Sequence, residues 1–331
     1  MKPSRTPRSM SKDLPLLGAS ALGHGRREAT AGSTVIDAPV VPLAALDQLW
    51  FQVAGTVCNL RCSHCFISCS PENHSHWFLG REQVRESLAA SARLGVKEYY
   101  FTGGEPFMNR EMTGILEDTL AIGPATVLTN ATLLPPRTVD ELARIADGSL
   151  YTLELRVSID GTTPEMNDAL RGEGAFSRAM EGMERLVGAG FLPIVTAMQS
   201  WDDFDTPEVL GAFRELLASI GYAQARLKIL PPLRIGEEER RSRGYSESER
   251  VTDEMMVGYD TDLLLCARAR LVTARGVWVC PILLDYESGR LGDTVEDAVA
   301  APAVLSEQAC YTCYVSGAIC ANMSGYTRDF S

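Results

Sequence analysis

Cys58, Cys62 and Cys65 place three thiols in a C-x₃-C-x₂-C spacing. The stretch reads Cys58-Asn59-Leu60-Arg61-Cys62-Ser63-His64-Cys65 and follows an apolar run, Leu49-Trp50-Phe51-Gln52-Val53-Ala54. Three soft ligands crowded onto one short loop suit an iron–sulfur cluster better than a lone ion. A zinc site or three unrelated buried thiols is the plainer alternative. A cubane cluster has about four irons, so three cysteines leave one iron open to a substrate or cofactor.

Two further groups of residues could do chemistry. Thr102-Gly103-Gly104-Glu105-Pro106 combines glycines, which let backbone approach a ligand closely, with a carboxylate that can pair with an ammonium. Towards the C-terminus, Cys266 precedes two β-prone runs that meet at Arg275-Gly276 and end at Cys280. A hairpin there would bring Cys280 back towards Cys266. Cys310-Tyr311-Thr312-Cys313 adds a C-x₂-C pair. Two plus two makes a four-thiolate site, which suits structural zinc as well as an iron–sulfur cluster.

These residues need elements to carry them. Stretches 49–56, 98–102, 125–129, 150–159, 193–198 and 225–230 read as strands. Stretches 81–94, 110–121, 136–146, 176–189 and 207–220 read as helices, the first with Val84, Leu88 and Ala92 as its apolar residues and Gly95 as its stop. The alternation predicts right-handed βαβ units and a parallel sheet. Six strands are too few for a complete eight-fold barrel. The fold class is therefore α/β, a partial (β/α)₆ TIM-like barrel with a small C-terminal cysteine-rich domain. Ligands of such barrels sit at the C-terminal ends of the strands, where the Gly103–Glu105 segment falls. The expected divisions are a flexible lead-in over 1–47, the barrel over 48–235, a charged linker over 236–258, the cysteine-rich domain over 259–322 and a tail over 323–331. Glu237-Glu238-Glu239-Arg240-Arg241 in the linker reads as a solvated face.

Composition bounds the partners. The 331 residues carry a formal net charge of -12 and a 45% hydrophobic fraction. That excess of carboxylates argues against a broad nucleic-acid surface, though it leaves room for a local basic patch facing an acidic electron donor. No apolar run reaches the length of a membrane span, and the first thirty residues lack the apolar core of a secretory signal. The nine cysteines cluster at 58–69 and 266–320. Two metal-ligand groups in a reducing, cytoplasmic compartment explain this better than disulfides.

The first cysteine loop and the Gly-Gly-Glu-Pro segment resemble the signature motifs of the radical S-adenosylmethionine (SAM) enzymes, and the resemblance extends over roughly residues 48–322. It implies a [4Fe–4S] cluster on Cys58, Cys62 and Cys65 whose open iron chelates the amino and carboxylate groups of SAM. Reductive cleavage of SAM then releases a 5′-deoxyadenosyl radical that abstracts a hydrogen. By the same resemblance Gly103, Gly104 and Glu105 hold the methionine amino group. Asn130 lies beside SAM, Ser158 and Asp160 of Ser158-Ile159-Asp160-Gly161 approach the ribose, and Arg171 of Leu170-Arg171-Gly172 pairs with the SAM carboxylate. A guanidinium suits that last task because it grips a carboxylate bidentately.

This chain departs from the family pattern before the third cysteine. An aromatic residue usually stands there and packs by the adenine; here it is His64, planar but able to titrate near neutrality. His64, His74 and His76 all lie close to the loop, and solvent-exposed loop histidines are the plain reading, with substrate binding or proton transfer the alternative. Cys69 completes C-x₃-C-x₂-C-x₃-C, near the ferredoxin run. As a fourth ligand it would close the cluster to everything but electron transfer; it is read instead as a small buried residue.

The C-terminal cysteines resemble the auxiliary-cluster appendage called a twitch domain, the shortened form of the SPASM domain. The spacing from Gly276 to Cys280 is one residue shorter than the family pattern, and Cys320 follows Cys313 at a six-residue gap. The resemblance implies one auxiliary cluster on Cys266, Cys280, Cys310 and Cys313, with Cys320 left over or substituting, and a flavodoxin- or ferredoxin-type electron donor. Relatives with this appendage often modify ribosomal peptides or proteins, and others oxidise small molecules. Peptide maturation is the first expectation, small-molecule dehydrogenation the second and a non-catalytic iron–sulfur scaffold the third. No added peptide-recognition domain is visible before residue 48, which weakens the first reading, although such a domain can be a separate chain.

Overall fold

In the computed structural model, residues 38–202, 205–317 and 319–320 are described. Most of the expected lead-in and the tail fall outside them. Strands β1 (Val40–Val41), β2 (Gln48–Gln52), β3 (Glu98–Thr102), β4 (Ala125–Thr129), β5 (Leu153–Ser158), β6 (Ile194–Met198), β7 (Arg226–Leu230), β8 (Ala269–Thr273), β9 (Gly276–Trp278), β10 (Arg290–Gly292) and β11 (Ala303–Val304) alternate with ten α-helices among the described residues. The larger helices are α1 (Arg81–Leu94), α2 (Met112–Leu120), α3 (Pro136–Asp147), α4 (Pro164–Arg171), α5 (Ala175–Gly188) and α6 (Thr206–Ser219). The smaller ones are α7 (Glu237–Arg241), α8 (Asp253–Met256), α9 (Val295–Ala300) and α10 (Ala309–Ser316).

β2 to β7 pair in sequence order, all parallel. Each is followed by a helix, which makes the partial (β/α)₆ barrel. Side chains alternate across the strands as the pleat requires. Leu49, Phe51, Tyr99, Phe101, Val127, Leu155 and Val157 meet Val84, Leu88, Ile115 and Leu142 in one core on the helical side. Trp50 and Tyr100, opposite one another in the β2–β3 register, point the other way and stack with centroids 4.2 Å apart. α1 ends where the backbone of Gly95 turns left-handed at φ 78°, a conformation that costs glycine little.

The sheet does not stop at β2. β8 pairs with β2 in parallel, the β8–β9 hairpin forms as its sequence predicts but turns at Ala274-Arg275, one residue earlier than read, with Gly276 opening β9, and β10 adds an antiparallel edge. The C-terminal hairpin therefore continues the barrel sheet. Val40 and Val41, inside the stretch read as a lead-in, pair with Val304 and Ala303.

The charged stretch after β7 is a correction. It is not a solvated linker throughout: α7 packs on the cysteine loop, with the Glu237 amide donating to the Cys65 carbonyl at 3.0 Å. Glu238 is 1% exposed and accepts two hydrogen bonds from Arg241. Gly236 is required there, because its φ is +62° and a Cβ would lie 2.4 Å from the carbonyl oxygen of Phe66. No helix among the described residues is long and apolar enough to cross a membrane.

Candidate active site

The loop after β2 carries Cys58, Cys62 and Cys65 beneath the ends of β3 to β5. Backbone amides reach two of the sulfurs: Leu60 N–H donates to Cys58 Sγ at 3.4 Å and Cys69 N–H to Cys65 Sγ at 3.2 Å. Burial pushes the Cys58 thiol up to about 12 and Cys62 to about 11, the latter partly offset by the Arg171 charge. Hydrogen bonding from Cys69 draws Cys65 down to about 7. Thiols held protonated in this way give up protons when they bind metal, so loading is favoured by rising pH. Cys69 is itself 6% exposed, and its thiol faces the Gly103 carbonyl at 3.9 Å.

The Gly-Gly-Glu segment is built against this loop. A Cβ on Gly104 would lie 2.0 Å from the Val57 carbonyl oxygen, and Gly103 adopts φ +151° with Ala54 behind it. Glu105 N–H donates to that same Val57 carbonyl at 3.1 Å. The Glu105 side chain is 0% exposed. Its carboxylate accepts from the Thr129 hydroxyl at 2.7 Å, the Asn130 amide at 2.7 Å and the Phe107 amide at 3.1 Å. Burial nevertheless raises its pKa to about 7, against the pull of those donors.

Asn130 joins the end of β4 to the cysteine loop. Its Nδ2 donates to Asn59 Oδ1 at 3.0 Å and reaches Cys58 Sγ at 3.8 Å, while Asn59 donates to Thr132 Oγ1 at 2.8 Å. The residue that follows, Ala131, is held at φ 58°, an uncommon conformation for a side chain with a Cβ.

Asp160, just past β5, gathers two other expected residues. Its Oδ2 lies 3.0 Å from His64 Nε2 and 2.6 Å from Arg171 Nε, and its Oδ1 accepts from the Met198 amide at 2.7 Å. Burial alone would raise this acid. The Arg171 charge and the His64 hydrogen bond instead hold it far below the usual carboxylate range. Arg171 sits at the C-terminal end of α4, whose Leu170 carbonyl accepts from the Ser63 amide at 2.8 Å. So Arg171 is not a surface residue, and His64 is tied to the fold. His76 is likewise buried, 2% exposed, edge-on to Trp278, and burial lowers it to about 4; only His74 of the three is exposed. Ser158 ends β5 half-buried, opposite Thr196 of β6.

Sequence reasoning passed over Asn59, Thr132 and Asn167, and noted Thr129 only as the neighbour of Asn130, with no role of its own. Asn167 is fully buried and its Oδ1 accepts from the Asp160 amide at 3.0 Å. The signal for Thr129 and Thr132 was their place beside Asn130 at a strand end.

Cys266, Cys280, Cys310 and Cys313 line one recess, open in part to solvent and otherwise walled by Leu264, Ile282, Leu283 and Leu305. Cys266 comes from the turn before β8, Cys280 from just after β9, and the other two from α10. Burial raises all four thiols. Among the described residues no three His, Cys, Asp or Glu side chains converge as the ligands of a single ion would. Four thiols around one apolar recess suit either zinc or a polynuclear cluster. Cys320 is not among the recess-lining residues. Its carbonyl accepts a hydrogen bond from Arg156.

Residues 53–199 match the family model described as the Radical SAM superfamily. A GTP 3′,8-cyclase of Yersinia pestis is 31% identical over 135 residues, which cover 41% of this chain and 40% of that protein. The mycofactocin maturase MftC of Mycolicibacterium smegmatis is 29% identical over 161 residues, 47% of this chain and 39% of the maturase. The chain thus spans about two fifths of the length of these curated relatives. Among solved structures, Streptococcus suis SuiB bound to its precursor peptide SuiA superposes with a TM-score of 0.61 at 14% identity, covering 78% of this chain and 65% of SuiB. Native anSMEcpe with bound AdoMet superposes at 0.55 with 15% identity, covering 76% and 79%. The cysteine loop and the strand-end array around Glu105 and Asp160 all fall within residues 53–199, the stretch that matches the Radical SAM superfamily model.

Proposed function

We propose that this chain is a radical SAM enzyme that abstracts hydrogen from a peptide or protein substrate during its maturation. The observation that carries the reading is the collection of Cys58, Glu105 and Asn130 into one bonded array at the strand ends. When bound, the cluster and SAM supply a carbon-centred radical. The chain's residues do the rest. Cys58, Cys62 and Cys65 would hold the cluster, and Cys266, Cys280, Cys310 and Cys313 an auxiliary one in a twitch-like module. Glu105, buried and raised to about 7, regains its charge when an ammonium is placed against it, and so favours an amine at that spot. Arg171, paired with Asp160, would meet the SAM carboxylate, and Ser158 would offer a hydroxyl to the ribose.

Two named neighbours support the peptide substrate: SuiB, solved with its precursor peptide, and MftC, named a maturase. GTP 3′,8-cyclases, which act on a nucleotide by name, keep small-molecule chemistry as the second reading. The first test is anaerobic reconstitution followed by dithionite and SAM. Formation of 5′-deoxyadenosine is expected, and its absence overturns the reading. Co-expression with short peptides, scored by mass change, then separates the two substrate classes.

A further inference from the structure

Arg270 of β8 is 0% exposed, and its guanidinium donates only to neutral carbonyls. Its Nε reaches the Ala298 carbonyl at 2.9 Å and its Nη2 the Ala301 carbonyl at 2.8 Å, both at the end of α9. Its Nη1 donates to the carbonyls of Ala269 and Cys266, each at 2.8 Å. The strand pattern explains the placement. Leu271 joins Cys280 in the core on one face of the sheet, and Val272 joins the helical core on the other. Arg270, two residues before Val272, shares that second face. From there it caps α9 and at the same time holds the turn that delivers Cys266.

The hydrogen bonds of this guanidinium are thus complete, but its charge is not answered by a carboxylate. Among the described residues the charged groups that bear on it are the thiols of Cys266 and Cys280. Burial lowers Arg270 to about 10, against the pull of those two sulfurs, and it remains a cation near neutrality. In return its charge is the largest influence opposing burial at Cys266. A buried cation without a full counter-ion is costly, and the negative end of a short helix offsets only part of that cost. A neutral side chain could also donate to the end of α9. It could not answer the negative charge that gathers when four thiolates hold a cluster in the recess. Net charge around a cluster and the anchoring of its ligands are both levers on its reduction potential.

We propose that Arg270 is a positioning residue of the auxiliary centre: it holds the Cys266 turn and supplies the fixed positive charge that raises the reduction potential of an iron–sulfur cluster bound there. It touches neither iron nor substrate. The proposal rests on the auxiliary-cluster reading above. Reduction adds one electron to the cluster, and a fixed cation nearby stabilises the more negative, reduced form by more than the oxidised one.

The test is a redox titration of the anaerobically reconstituted full chain with dithionite, followed by electron paramagnetic resonance. The auxiliary signal is the one that SAM leaves unaltered. Arg270→Gln and Arg270→Met remove the charge. Each should lower the equilibrium constant for one-electron reduction roughly tenfold, a shift of about 59 mV to more negative potential. Arg270→Lys keeps the charge and should keep most of the potential. Urea denaturation separates this from a purely structural role: all three variants lose part of the carbonyl contacts and should be less stable, whereas only the neutral two should shift the potential. An unshifted potential in a neutral variant that retains auxiliary iron overturns the assignment, as does a shift in Arg270→Lys as large as theirs. Where neither neutral variant retains auxiliary iron, loading decides: retention in Arg270→Lys alone supports the counter-charge, and loss from all three overturns it. Zinc in place of auxiliary iron in the wild type overturns the cluster reading and the assignment with it. A wild-type auxiliary signal whose potential ignores the charge at residue 270 defeats the assignment alone.

Discussion

Arg171 Nε lies 2.6 Å from Oδ2 of Asp160, a carboxylate 1% exposed, although the two residues belong to different elements. The same oxygen is 3.0 Å from His64 of the cysteine loop. One buried acid thus fastens the cysteine loop to the end of α4. Replacing Asp160 with Asn strands Arg171 beside a neutral amide. Breaking a buried pair from one side typically costs about 3–5 kcal/mol. Urea denaturation of the Asp160→Asn variant should show a loss of that size, accompanied by weaker iron loading. A loss under about 1 kcal/mol, the range of exposed pairs, would mean that the triad is a surface-like contact.

Glu105 should make stability fall as pH rises. Its folded value is raised to about 7, whereas the unfolded acid titrates near its model value of 4.5. Between those two values the folded chain holds a proton that the unfolded chain releases, so each step up in pH favours unfolding. Below 4.5 both states are protonated and above 7 neither is, and the effect levels off at both ends. Chemical denaturation of the cofactor-free protein across this window should show a decline on the order of 1–3 kcal/mol from this group. Glu105→Gln should flatten it.

The sulfur assignments separate by iron content. Cys58→Ser, Cys62→Ser and Cys65→Ser should each lower iron by about four atoms per chain, the content of one cubane cluster. Cys266→Ser or Cys313→Ser should remove the auxiliary iron instead. Cys69→Ser should leave the iron count unchanged, because that thiol faces the Gly103 carbonyl. Lower iron in Cys69→Ser, or a SAM-responsive electron paramagnetic resonance signal that appears only in that variant, would assign it as a ligand.

Gly104→Ala tests the seat of the Gly-Gly-Glu segment. Its new methyl would meet a backbone oxygen at 2.0 Å, which no rotamer can relieve. Overpacking of that kind costs about 1–3 kcal/mol, and it should also displace the cysteine loop enough to reduce iron loading. Gly95→Ala, where nothing lies within 4 Å, controls for simple loss of a glycine and tests only the left-handed φ.

Local pattern carried the barrel. The bounds of β3 and β4 coincide with those read from the chain, since short apolar runs between turn residues leave little choice. α4 was missed because its eight residues are too few to show a periodic stripe. Yet Thr163-Pro164-Glu165 is a helix start in plain view, and the Thr163 hydroxyl does accept from the Met166 amide. The β8–β9 turn was legible from Arg275-Gly276, but the pairing of β8 with β2 was not, being a contact between segments some two hundred residues apart. Burial of Glu238 escaped for a related reason. A run of charges looks solvated until a tertiary surface, here the cysteine loop, covers one of its members. In the site, motif spacing found Glu105, Asn130 and Asp160, whereas the ties among Asp160, His64 and Arg171 depend on where two loops and the end of α4 meet in space.

The pairing of β8 with β2 has a practical corollary for truncation. Leu49, Trp50 and Phe51 are 0–1% exposed, and β8 occupies the backbone groups along one side of their strand. A fragment ending after β7 would bare that row of amides and carbonyls next to three large apolar side chains. Such an edge is a template for pairing with other chains, so the isolated barrel would be expected to aggregate even with every residue of its cysteine loop intact.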